Sequence, residues 1–165
     1  MGGRGSTSGA KRVDKTGKGG IIGSDNKRMA VADVHYIGKI NKEIYKCVTN
    51  DIQTDEVVIT DNQIEHIKNR HPQDYEKYHG FIKQIVAEPD YILEANKPNT
   101  AFVLKQIREN GRNYQLILRL KTSTDISSYK NSVITFLKID DKKVAKYLRN
   151  KKILYSRFDT LDKSE

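Results

Sequence analysis

The sequence predicts an α+β domain, with N-terminal helices packed on an antiparallel sheet of four or more strands and a disordered tail in front of them. Three observations carry this expectation. Gly2, Gly3, Gly5, Gly9, Gly17, Gly19, Gly20 and Gly23 are eight of the chain's 11 glycines, so the opening segment differs in composition from the rest. Apolar residues recur at helical spacing mainly between Thr60 and Pro89. Beyond Pro89, runs of strand character alternate with turn residues. Helices followed by a strand meander is the order of an α+β fold, whereas a parallel sheet would show βαβ alternation.

The elements follow in order. Residues 1–33 place Ser, Thr, Lys and Arg between the glycines, with Ile21 and Ile22 the only large apolar pair. Such a stretch buries too little apolar surface to offset the entropy of ordering it, so a flexible basic tail is expected. A phosphate-cradling glycine loop is a poorer fit, because neither a preceding strand pattern nor a GKS/GKT sequence accompanies the glycines. The domain proper is expected over residues 34–160. Val34–Ile40 and Ile44–Val48 alternate like a hairpin about Asn41-Lys42. Val57–Ile59 suits a short strand. Thr60 or Asp61 then caps a helix, with Asp61 and Glu65 placing negative charge near its positive end. It stops near Arg70, because the residue before Pro72 disfavours helical backbone.

A second helix is expected over residues 73–87, with Tyr75, Tyr78, Ile82, Ile85 and Val86 on one stripe. Four strands follow, around Tyr91–Glu94, Phe102–Lys105, Tyr114–Leu120 and Val133–Leu137. Asn110-Gly111 is a hairpin signal between the middle two. A helix over residues 140–149 precedes a last strand at Ile153–Tyr155.

Charge narrows the function. Lys and Arg number 30 against 21 Asp and Glu, a formal net charge of +9. An excess of that size attracts polyanions, nucleic acid among them. Cys47 is the single cysteine, so neither an intrachain disulfide nor a cysteine-based metal site can form. No apolar run approaches the ~20 residues that cross a bilayer, and the first residues lack the apolar stretch of a secretory signal. The expectation is a protein that folds in the cytoplasm, with no membrane partner.

The densest polar cluster is Gln63-Ile64-Glu65-His66-Ile67-Lys68-Asn69-Arg70-His71-Pro72. His66 and Arg70 are four apart and share a helix face. His71, four beyond Ile67, belongs on spacing with the apolar face or the C-terminal cap. His66 has the alternative of an ordinary solvated histidine. Zinc is a poor reading, since the two histidines are five apart and HExxH spacing is missing; no metal and no cofactor is expected.

Another chemistry needs neither. RNA carries its own nucleophile, the 2′-hydroxyl, beside each phosphodiester. Cleavage then requires a base, an acid and positive donors at phosphorus. Histidine titrates near neutrality and suits proton transfer. Arginine binds phosphate through two parallel hydrogen bonds. The strand half adds Lys121, Ser132, Thr135 and Tyr155 as catalytic candidates, and Arg119 and Lys105, with Lys68 from the helix, as substrate contacts. Each has a plainer alternative: Arg119 and Lys121 suit a solvated surface, Thr135 favours strands in any case, and Tyr155 suits a core.

The string from Thr60 to Pro72 resembles the helix motif of the phage-associated Barnase/EndoU/colicin/RelE-like (BECR) toxin nucleases, in which an ITD-type start leads to HI-x-x-RHP. Asn131-Ser132-Val133-Ile134-Thr135-Phe136 is similar to the family's S-x-[IV]-T strand, and Leu154-Tyr155 to its closing Leu-Tyr. The resemblance spans roughly residues 34–160. It implies helices packed on a four-stranded antiparallel sheet, with RNA cut in the cleft between them. It also implies a toxin acting on tRNA or other cellular RNA, carried by a phage or mobile element and countered by an immunity protein or antitoxin. His66, Arg70, His71, Thr135 and Ser132 fall on its motif positions, while Lys121 and Tyr155 are placed by analogy. The competing expectation is a non-catalytic module that binds nucleic acid or a phage-structural partner through the same basic surface. The glycine-rich segment also fits the remnant of a longer delivery protein with the nuclease as cargo.

Overall fold

The computed structural model of the chain describes residues 33–158. The expected tail therefore lies, but for Asp33, outside the described residues. The described chain is a seven-stranded mixed sheet with helices on both faces. In chain order the strands are β1 (Val34–Lys39), β2 (Glu56–Thr60), β3 (Tyr91–Glu94), β4 (Thr100–Ile107), β5 (Arg112–Arg119), β6 (Asn131–Ile139) and β7 (Ile153–Ser156). The helices are α1 (Lys42–Tyr45), α2 (Asp61–Arg70), α3 (Pro72–Tyr78), α4 (Ile82–Ala87) and α5 (Asp141–Asn150).

The spatial order is β1-β2-β6-β5-β4-β3-β7. Strands β6, β5, β4 and β3 form the expected four-stranded antiparallel meander, and β7 extends it antiparallel to β3. At the other side β2 pairs parallel to β6 through Val57–Asn131 and Val58–Ser132, with β1 beyond it. The sheet is thus larger than its antiparallel centre and mixed.

The strands alternate between two cores. On one face Val103, Leu116, Leu118, Val133 and Phe136 pack with Ile67 of α2 and with Ile82, Ile85 and Val86 of α4. On the other, Leu93, Phe102, Leu104 and Ile139 pack with Val144, Tyr147 and Leu148 of α5. Fully burying one such side chain is worth about 1.5–3 kcal/mol, so both faces hold the sheet.

Two local expectations change. Residues 44–48 form no hairpin strand. Asn41 accepts a hydrogen bond from the Glu43 N–H (2.9 Å) and starts the single turn α1, which inserts the wholly buried Tyr45 beneath α4. The Tyr45 hydroxyl donates to the Val86 carbonyl (2.8 Å). The expected helix over 73–87 is split into α3, a 3₁₀ turn at His79–Phe81 and α4. Gly80 sits at the break, where its low helix propensity favours the change of pitch. Tyr78 and Ile82 still reach one core, which is why the apolar stripe reads through it.

Candidate active site

Helix α2 is built as its sequence suggests. The Thr60 hydroxyl accepts from the Gln63 N–H (3.1 Å), Asp61 stands in the first turn, and Lys68 and Arg70 in the last. It closes at His71, whose N–H donates to the Ile67 carbonyl (2.8 Å) and whose backbone (φ −142°, ψ 69°) turns the chain into α3 behind Pro72.

The position of this helix decides the site. The register between β2 and β6 covers only the first two residues of β6. Beyond it, α2 and α3 lie against β6 in place of a strand. Asp74 of α3 accepts the Lys138 N–H of β6 (3.0 Å), a carboxylate satisfying a backbone group that an edge strand leaves unpaired. A helix set against a strand edge can send side chains to both faces of the sheet. Ile67 enters the core under α4, whereas His66, Arg70 and His71 line a cleft on the side of α5.

The opposite wall comes from β5, β6 and α5: Gln115, Thr135, Leu137 and Tyr147 complete a cavity of about 330 Å³. A bulge shapes β6 here. Ile117 faces Thr135 while Leu118 faces Val133, so Ile134 is the extra residue. The consequence is a shift of phase: Val133 and Phe136 both enter the core under α2 and α4, and the adjacent Ile134 and Thr135 both face the side of α5. Re-aiming a side chain is a usual effect of a bulge next to a site.

Four of the residues singled out in the sequence, His66, Arg70, His71 and Thr135, therefore share one cavity. His66 and Arg70 are exposed and His71 and Thr135 half-buried. Among the described residues, the side-chain polar groups of His66, Arg70, His71, Gln115 and Thr135 have no hydrogen-bond or ion-pair partner. Of the two places that spacing allows His71, it takes the C-terminal cap and not the apolar face, because the helix ends one residue before it. His66 and His71, splayed on an ideal helix, face the same cavity.

The other candidates lie elsewhere. Ser132 is buried and donates to the Lys130 carbonyl (2.9 Å). The Lys121 ammonium donates to the Ser127 carbonyl (2.8 Å) in the loop before β6. Tyr155, on the edge strand β7, packs half-buried against the core under α2 and α4, the plainer alternative raised for it. Arg119 forks onto Asp125 (2.9 and 3.2 Å) and donates to the Leu120 carbonyl, beside the cleft but outside it. Lys105 is 5% exposed and pairs with Asp90 (3.4 Å). Lys68 pairs with Glu76 (3.0 Å) over the Tyr75 ring. Two cleft residues that carry polar groups were not singled out in the sequence. Gln115 is the polar interruption between Tyr114 and Leu116, and Tyr147 is the aromatic of the inward face of α5. Among the described residues, no group of three or more His, Cys, Asp or Glu side chains is arranged to hold a metal ion. Nor is any helix there long and apolar enough to cross a membrane.

A family model described as phage-Barnase-EndoU-ColicinE5/D-RelE like nuclease2 matches residues 32–156. The chain belongs to this nuclease family. The match begins just before β1 and ends with β7, so this BECR-type nuclease domain comprises the whole sheet, both cores and the cleft. Neither the curated proteins nor the solved structures contain a match to the chain.

Proposed function

We propose that this BECR-type nuclease is a metal-independent endoribonuclease whose reaction takes place between α2 and β6. The observation that carries the reading is the convergence of two histidines, an arginine and a strand hydroxyl, all with unengaged polar groups, in one cavity. One imidazole, of His66 or His71, removes the proton of a ribose 2′-hydroxyl. The 2′-oxygen attacks the adjacent phosphorus, and the bond from phosphorus to the 5′-oxygen breaks. The other imidazole protonates that leaving oxygen, giving a 2′,3′-cyclic phosphate and a 5′-hydroxyl. The Arg70 guanidinium pairs with the non-bridging oxygens as charge builds on them, and the Thr135 hydroxyl donates to one of them. With Lys121 held by the Ser127 carbonyl, the compensation of charge falls to Arg70. The substrate in this reading is tRNA or other cellular RNA, and the protein acts in the cytoplasm as a toxin restrained by a cognate immunity protein.

Incubation with total tRNA in EDTA tests the proposal. The expected products end in 2′,3′-cyclic phosphate, and His66→Ala and Arg70→Ala should each slow their appearance at least about 10²-fold. Undiminished cleavage by both variants, or cleavage that appears only on adding a divalent cation, overturns it. Salt-sensitive RNA binding without cut strands would point to a binding module instead.

A further inference from the structure

The cleft has a neighbour that this reaction does not use. Gln115 and Tyr147 are shared walls, and on their far side a larger groove of about 630 Å³ runs over β5 and β6 toward the loop after β3. Its floor is apolar: Ile117 and the bulge residue Ile134 are half-buried on the part of the sheet that α5 leaves open. Tyr147, edge-on to Phe102 with ring centroids 4.8 Å apart, stands at the side. The rim is cationic, formed by Lys97, Arg119 and Lys151, and among the described residues no aspartate or glutamate lines the groove.

These charges are not equivalent. Arg119 is neutralised by Asp125. Lys151 has no carboxylate partner among the described residues: its ammonium donates to the Glu94 carbonyl (3.2 Å) and lies 4.7 Å from the centre of the Phe102 ring, both uncharged. Lys97 is exposed and has no ion-pair partner among the described residues. An apolar floor, an aromatic side and two uncompensated cations match a flat base with a phosphate attached. The volume is of the size of small-ligand sites, about 300–1,000 Å³.

On the footing of the cleavage reading, we infer that this groove seats an unpaired nucleotide next to the scissile phosphate and so restricts the enzyme to single-stranded RNA. The base lies on Ile117 and Ile134 beside Tyr147, and its phosphate meets Lys97 and Lys151. A base within an A-form helix cannot do this, because both its faces are covered by stacking. Stacking on protein side chains tolerates different bases, so the groove selects for strandedness more than for sequence.

The test uses the full chain and a fluorescein-labelled hexanucleotide of 2′-O-methyl RNA, which has no nucleophile and cannot be cut. Anisotropy should show the single strand binding at least about tenfold more tightly than a blunt hairpin of the same length of stem. Lys97→Ala with Lys151→Ala should weaken the single strand about tenfold or more, and Ile134→Asp should do the same by replacing the apolar floor with charge. Because Ile134→Asp can perturb folding, its circular dichroism is compared with wild type, and the exposed Lys97→Ala variant alone retains the test. Equal affinity for strand and hairpin, or wild-type affinity in the double lysine variant, overturns the inference even if the enzyme cuts RNA. Loss of a dimer on substituting Ile134 also overturns it, by making a second copy the occupant. If the wild type cuts no RNA but shows these binding differences, the cleavage reading fails and the groove stands.

Discussion

Lys105 offers a sharp test of the difference between a basic residue that binds substrate and one that holds the fold. Its ammonium, 4% exposed, lies 3.4 Å from Asp90, itself 11% exposed at the side chain. Asp90 has two more partners: the Gln106 N–H (2.9 Å) and the guanidinium of the half-exposed Arg157 (3.2 Å). The partners are therefore unequal in what they lose. Lys105→Met keeps the volume and leaves Asp90 two donors, so the loss is that of one charged hydrogen bond, about 1.5–3 kcal/mol. Asp90→Ala strands a buried ammonium, and breaking a buried pair in that way costs about 3–5 kcal/mol. The double variant has no stranded charge. It should be no less stable than Asp90→Ala alone, with a coupling on the order of 2 kcal/mol. Urea unfolding followed by far-ultraviolet circular dichroism measures all three, and Asp90→Ala should lower Tm on the order of 10 °C. Strictly additive effects would refute the pairing argument. Lys105→Met of wild-type stability but raised KM for RNA would return Lys105 to the substrate.

The remaining expectations concern the cleft, the thiol and the acid limb of stability. Thr135→Val should lower kcat about 10²-fold at unchanged stability, whereas Ser132→Ala should cost about 1 kcal/mol in urea unfolding and leave the cleavage rate alone; the reverse pattern would exchange their roles. Burial pushes the Cys47 thiol up to about 11, so its alkylation by iodoacetamide should be slow at pH 8 and rise steeply only toward that value, and a fast reaction at pH 8 in the folded protein would contradict the packing around it. The Thr122 N–H and then the Arg119 guanidinium hold the Asp125 carboxyl below the usual carboxylate range. A lowered folded value means stability that is present above the unfolded titration, about pH 4, and lost as pH falls through the folded one. Asp125→Asn should accordingly flatten the acid limb of Tm against pH, and an unaltered limb would count against that loop geometry.

The elements were legible where local chemistry and periodicity agreed. Thr60 as cap, Pro72 as stop and Asn110-Gly111 as a turn, with Gly111 at φ 69°, act through contacts a few residues apart, which a sequence displays directly. The hairpin expected at Asn41 failed because the same residue type serves two purposes. Asparagine enters a tight turn or caps a helix, and Asn41 lacks the following glycine that a two-residue hairpin turn prefers. The size of the sheet was hidden for another reason. The parallel pairing of β2 with β6 rests on Asn131, wholly buried, whose amide donates to the carbonyls of Thr54 (2.8 Å) and Glu56 (2.9 Å) and accepts the Lys121 N–H (2.7 Å). A buried amide that bridges segments over 70 residues apart carries no mark in its own neighbourhood.

The same distinction explains the site. The i, i+4 spacing of His66 and Arg70 marks one helix face, but spacing is silent on what that face meets. His66 and Arg70 lie on one flank of Ile67, roughly 60–100° round the helix from it, and on a helix packed flat on a sheet that flank would look toward solvent. Here α2 occupies the edge of β6 that β2 vacates, and the face away from the core looks along the other side of the sheet onto Thr135. The bulge then decides which strand residues are met, for in unbroken alternation through Ile134 the phase that puts Val133 in the core would put Thr135 there as well. Edge placement and bulge are both long-range features. Together they bring the histidines of one motif to the hydroxyl of another, 64 residues apart from His71 to Thr135 by position in the chain, and they explain why Ser132, nearer to the pairing with β2, faces its own loop.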